Sequence, residues 1–143
     1  MRTLPRPSVA FFAASVAVLA LASAVSAANG GANLTNGRDI FLTGRDLSGK
    51  RITASPPALR PTCAACHRAD GSGGLHIAGA VSADLRHKAM VTDQKPPYTI
   101  PLVVRAITKG LDNQGHALSP VMPRWRLSAR DASDVAAYVL SLK

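Results

Sequence analysis

Cys63-Ala64-Ala65-Cys66-His67 is the stretch that decides the reading of this 143-residue chain. It fits the C-x-x-C-H spacing for covalent attachment of a c-type haem. Two thiols three residues apart can each add to one vinyl group of the same macrocycle. A His directly after the second Cys is carried under the iron as its proximal ligand. Cys63 and Cys66 are the only cysteines, so no other pair competes for the role. Two rival chemistries use C-x-x-C. A thiol–disulfide motif wants a βαβ setting, whereas residues 50–80 read as loop. A structural zinc takes four protein ligands, most of them Cys, and here only Cys63, Cys66, His67 and one distant His could serve.

The N-terminus bears on the compartment. Arg2 and Arg6 precede an apolar run from Val9 to Val25, and Val25-Ser26-Ala27 is a cleavage signal of small residues. Residues 1–27 therefore read as a secretory signal peptide. The rival is an uncleaved membrane anchor, since about 18 apolar residues can cross a bilayer. The Ala/Ser-rich end of the run and the polar Asn29-Gly30-Gly31-Ala32-Asn33 favour cleavage. Export and C-x-x-C-H support each other: haem is attached to c-type apoproteins outside the bacterial cytoplasm, where free paired thiols would otherwise tend to form a disulfide. A periplasmic location is expected. Residues 28–143 then form one domain, small enough to bury only part of its surface, so a covalent haem supplies apolar body for the core.

The chain carries 17 Lys and Arg against 8 acidic residues, all of them Asp, for a net charge of +9. Losing Arg2 and Arg6 with the signal takes this to +7. Nucleic acid is not the expected partner of an exported chain with so few aromatic residues. An acidic redox partner, or peripheral association with an anionic membrane, suits the charge, which raises encounter rates without fixing a fold. A generally solvated basic surface is the bland alternative. Scattered Asp without Glu offers no paired-carboxylate constellation, so neither a catalytic residue nor a small-molecule substrate is expected.

Along the chain, residues 28–35 read as an exit segment and residues 36–42 as a short helix with Gly37, Ile40 and Phe41 on its apolar side. Residues 43–61 read as an inserted loop with a turn at Asp46-Leu47-Ser48-Gly49-Lys50. Residues 51–54 offer a strand of a small hairpin. Gly71, Gly73, Gly74 and Gly79 permit tight turns against a flat cofactor. With Thr99 as cap, Pro101 in the first turn and Gly110 as the stop, a helix is expected from Pro101 or Leu102 to Lys109, with Val103, Ala106 and Ile107 on one face. Ser128-Ala129-Arg130-Asp131 opens the last helix in the manner of a capping box, and Val135, Tyr138, Val139 and Leu142 follow one buried face.

The sixth iron position needs a second donor. Met90, Met122, His76, His87 and His116 are the candidates. Met122 is favoured because it precedes Pro123 in Ser119-Pro120-Val121-Met122-Pro123-Arg124-Trp125, and the residue before a proline is pushed out of helical geometry. A stiff extended arm can bring a thioether across the far haem face, which raises the potential relative to two His ligands. Ordinary core filling is the competing role for a Met. Met90 reads as core, His76 as a loop or propionate-side residue, His87 as surface and His116 as part of a turn. Trp125 and Tyr138 read as core.

At this point the chain resembles the class I monohaem cytochromes c of small bacterial periplasmic type. Gly37 and Phe41, Cys63 to His67, Met122 to Trp125, and Asp134 to Leu142 with Tyr138 carry the resemblance over nearly the whole mature chain. It implies an all-α cytochrome c fold, with three to five helices around one covalently bound haem and a loop or small hairpin insertion before the haem motif. The first and last helices should cross where Gly37 and Phe41 meet Tyr138. It implies thioether bonds at Cys63 and Cys66, with His67 and Met122 as axial ligands. Two departures stand out: the long segment 43–61, and Lys95-Pro96-Pro97-Tyr98, which looks like a bacterial subgroup rather than the mitochondrial carriers.

The expected function is electron transfer, the iron cycling between Fe(II) and Fe(III) in brief encounters with redox partner proteins, without catalysis. The second reading is a haem subunit of a periplasmic dehydrogenase or oxidase complex. The third is an enzyme or gas sensor whose iron loses Met122 easily.

Overall fold

The computed structural model describes residues 31–143. The expected signal segment, residues 1–27, lies outside the described residues. Among the described residues no helix is long and apolar enough to cross a membrane.

Helix α1 spans Leu34–Thr43. Asn33 caps it, its side-chain oxygen accepting from the Asn36 N–H at 3.1 Å, which satisfies one of the four orphan donors of a helix start. That cap starts the helix two residues before the expected one, so Leu34 and Thr35 belong to α1 and not to an exit segment. Gly44, at φ +68, ends it in the left-handed conformation that favours glycine. Ile40 and Phe41 are fully buried.

The last helix, α4, packs across α1. Two helices lie between them in the chain: α2, Ala64–His67, and α3, Ile100–Lys109. Helix α4 spans Ala129–Ser141, and the Ser128 hydroxyl oxygen accepts from the Asp131 N–H at 3.1 Å. Leu142, read as the last residue of the buried face, is buried just beyond the helix. At the crossing a Cβ on Gly37 would lie 2.8 Å from the Tyr138 Cβ and would collide with the Asp134 carbonyl. The rings of Phe41 and Tyr138 sit 5.4 Å apart at 57°, a tilted aromatic pairing. Beside them the Asn36 amide donates to both Asp131 and Asp134 at 2.9 Å, and the Asn33 N–H donates to Asp134 at 2.8 Å. Asp134 is almost fully buried, and these donors with Arg130 at 3.2 Å offset the cost of burying its charge.

Helix α3 has Thr99 at its start, Pro101 in its first turn and Gly110 at φ +69 closing it. Val103 and Ala106 face the core. The core itself gathers Ile40, Phe41, Ile52, Met90, Val103, Trp125, Val135, Ala136, Val139 and Leu142.

The segment 43–61 departs from expectation in its pairing. Its Asp46 turn forms, with the Asp46 carboxylate accepting from the Ser48 and Lys50 N–H groups at 2.9 Å each, and Arg45 bridges Arg51 across it. The strand, β1, is Thr53–Ser55 and has no local partner. It pairs antiparallel with β4, Arg124–Arg126, in the register Thr53 to Arg126 and Ser55 to Arg124. A second ladder was not anticipated: β2, His76–Ile77, and β3, Ala80–Val81, form a hairpin turning at Ala78 (φ +46) and Gly79 (φ +80). A π turn at Lys88–Thr92 was also unforeseen. The helices thus follow the all-α expectation, and two short ladders are added to it.

Candidate haem site

The turn of α2 gathers the site. The Thr62 hydroxyl accepts from the Ala65 N–H at 3.0 Å, and the Cys63 carbonyl accepts from Cys66 at 3.1 Å and His67 at 2.8 Å. This single turn presents Cys63, Cys66 and His67 to one cavity. Arg68 then leaves at φ +63 and ψ 163, a region that suits glycine alone. The reversal lets the Gly73 N–H donate back to the His67 carbonyl at 3.0 Å.

His67 is oriented from behind. Its Nδ1 lies 2.8 Å from the Ala83 carbonyl oxygen. A carbonyl only accepts, so Nδ1 carries the proton and Nε2 keeps its lone pair. Burial lowers the His67 pKa, against an upward pull from the Ala83 bond, which favours the neutral ring that metal ligation requires. Gly73 makes the contact possible: a Cβ there would collide with the Ala83 carbonyl and sit 2.7 Å from the Ser82 oxygen. Within the Gly-rich stretch, Gly73 is therefore needed for the backbone behind the histidine, a role that the sequence did not reveal. Nothing in the sequence marks Ala83 as the acceptor.

The cavity measures about 200 Å³. Phe41, Val135 and Val139 line it, together with Val103, Ala106 and Ile107 of α3 and Ile77 and Ala80 of the β2–β3 hairpin. Leu118, Ser119, Val121 and Pro123 also line its wall, as does Met122, which is half-buried. Trp125, expected in the core, is buried and also lines the cavity. Met90, read as core, is buried and shares that wall. His76, His87 and His116 are exposed and do not line it. The His87 Nδ1 lies 3.2 Å from the Leu140 carbonyl oxygen, and His116 pairs with Asp112 at 3.3 Å.

Cys63 and Cys66 form no disulfide with each other. Burial pushes the Cys63 thiol up to about 12 and also raises Cys66. Thiol–disulfide catalysis needs the reverse, a depressed pKa. Among the described residues no group of three His, Cys, Asp or Glu is placed to hold a metal ion directly, which removes the zinc rival there. The residues fit a haem instead. The wall is nearly all carbon, and two protonated thiols and a neutral, oriented imidazole open onto it.

The cytochrome c family model matches residues 35–143. The chain belongs to the cytochrome c family. No curated protein and no solved structure matches it. The match runs from the second residue of α1 to the C-terminus and so takes in the helix crossing, the C-x-x-C-H turn and the Met122 arm. The cofactor of this cytochrome c domain is covalent haem c with its iron, and its activity is haem-based electron transfer. The family indicates a carrier rather than a catalyst.

Proposed function

We propose that the chain is a periplasmic single-haem electron carrier, with Cys63 and Cys66 as thioether sites and His67 and Met122 as axial ligands. The observation that carries this reading is the convergence of the C-x-x-C-H turn and the Met122 arm on one apolar cavity, with His67 Nδ1 already committed to Ala83. When bound, the haem iron accepts and releases one electron. The protein's part is to keep the donors still. The Ala83 carbonyl fixes the imidazole plane, and the flanking prolines stiffen the Met122 arm. A carbon-lined wall excludes water, so the ligand set has little to rearrange between the two oxidation states. Met122 is preferred over Met90 because Met90 sits within the π turn, its N–H donating to Arg86 and its carbonyl accepting from Tyr98, and serves the core there. The basic surface suits a brief, electrostatically guided encounter with an acidic partner.

A second reading has a specific observation behind it. Leu59 and Val81 stand on the cavity's lining while 69 % and 59 % exposed. Apolar side chains at an open rim suit a persistent contact, as in a subunit of a periplasmic dehydrogenase or oxidase complex.

The test is the visible spectrum of matured protein, oxidised and reduced, before and after acid–acetone extraction. Retained haem and a sulfur-to-iron band at the red end of the oxidised spectrum are expected. Met122→Ala should abolish that band and lower the potential, whereas Met90→Leu should leave it. Loss of the band in Met90→Leu with retention in Met122→Ala would reverse the assignment. Purification from the native source then separates carrier from subunit: a lone small chain supports the first, a stoichiometric larger partner the second.

A further inference from the structure

The arm that carries Met122 has few bonds of its own. The Met122 N–H donates to the Ser119 carbonyl at 3.1 Å, and the Val121 N–H reaches the Ser119 hydroxyl at 3.3 Å. Two prolines deprive the segment of further donors. Arg124, at the end of the arm, clasps its two ends together. Its Nη1 donates to the Met122 carbonyl and its Nη2 to the Leu118 carbonyl, the latter at 3.1 Å. The guanidinium lies in the space left by Gly110, where a Cβ would overlap its Nε and Cζ. Gly110 closes α3, and its carbonyl accepts from the Leu118 N–H at 2.8 Å. A cation at the C-terminal end of a helix is also favoured by the helix dipole. Beyond Arg124 the chain is held again, as β4 against β1, with Arg124 opposite Ser55.

We propose that Arg124, seated on Gly110, is a latch that holds the Met122 arm on the cavity wall, a positioning residue that governs how readily Met122 leaves the sixth coordination site. This rests on the reading of Met122 as axial ligand. The latch requires a planar fork reaching two carbonyls at once, and lysine, a point charge on a flexible stem, cannot reproduce it. Gly110 has two functions, a left-handed helix end and a seat for the fork.

The experiment is an imidazole titration of the ferric holoprotein, following loss of the sulfur-to-iron band. An external ligand binds only the fraction of molecules whose sixth site is open, so its apparent Kd falls as that fraction rises. Arg124→Lys should lower the apparent Kd for imidazole about tenfold or more, the scale set by losing hydrogen bonds from a charged donor. Gly110→Ala keeps the arginine but displaces its fork. It should lower the Kd in the same direction and serves if Arg124→Lys does not mature. Ser128→Ala, which removes the cap of α4 and touches none of the arm's hydrogen bonds, should lower thermal stability and leave the imidazole Kd unmoved. A wild-type Kd in Arg124→Lys overturns the latch, as does an equal fall in Ser128→Ala. Absence of the band from the wild type overturns the ligand reading itself, and with it the latch.

Discussion

Gly73 and Arg68 mark the two extremes of backbone fitness beside His67. Gly73 adopts φ +62 and leaves room for the Ala83 carbonyl. Gly73→Ala therefore meets both a strained backbone and a collision with the acceptor that orients the histidine. A loss of about 1–3 kcal/mol is expected by chemical denaturation. Arg68 adopts a similarly unfavourable φ +63 with an exposed side chain, so Arg68→Gly should raise stability, by about 1 kcal/mol. The opposite signs check the account, since both substitutions lie within six residues of His67. The sequence showed that glycine was wanted near residue 73 but could not show which atom it spared. Ala83 is sixteen residues from His67 and carries no chemical label, because any residue supplies a carbonyl.

The helix crossing is decided at the scale of elements. In an isolated helix, alanine in place of glycine is favourable by about 1 kcal/mol. At Gly37 the same methyl would meet the Asp134 carbonyl and the Tyr138 Cβ, and overpacking against backbone costs about 1–3 kcal/mol or more. Gly37→Ala is therefore expected to lower the thermal midpoint despite its better helix propensity. A raised midpoint would mean that α1 and α4 move apart at little cost. The elements themselves were largely legible. Pro101, Gly110 and Ser128 marked helix ends by local chemistry, and the structure has them at those ends, whereas Thr99 precedes α3 without a side-chain capping bond. The start of α1 differs from expectation because Asn33, which in sequence resembles a linker residue, caps the helix. The partner of β1 was not legible: Thr53–Ser55 joins Arg124–Arg126, about seventy residues away, and a three-residue strand carries no signal of its mate. The pairing gives the insertion a role, bracing the chain immediately after Met122.

For the molecule as a whole, the eight Asp residues face an excess of Lys and Arg. Asp46 is held below its ordinary pKa chiefly by its Ser48 hydrogen bond, Asp70 by the Ser72 N–H and Asp84 by the Arg86 guanidinium. A carboxylate lowered in the folded state contributes stability that is fully present above its unfolded pKa, about 3.9, and lost as pH falls through the folded value. As far as these groups act, the thermal midpoint should be level above about pH 5 and fall below about pH 4. Asp84→Asn should lessen the fall, read from midpoints at stepped pH. A midpoint indifferent to acid would show that these carboxylates are no better solvated in the fold than out of it.

The sequence by itself determined the cofactor chemistry and the helical frame. Two thiols and an imidazole within five residues leave few alternatives, and caps and apolar periodicity are local properties that a chain states directly. Tertiary structure alone decided what stands behind each functional side chain: the Ala83 carbonyl at His67, the Gly110 seat under Arg124, and the strand that braces the Met122 arm. The physical reason is that these are backbone groups and empty spaces. Every residue has a carbonyl and any small residue can leave a gap, so their meaning appears only when the folded chain brings a partner to them.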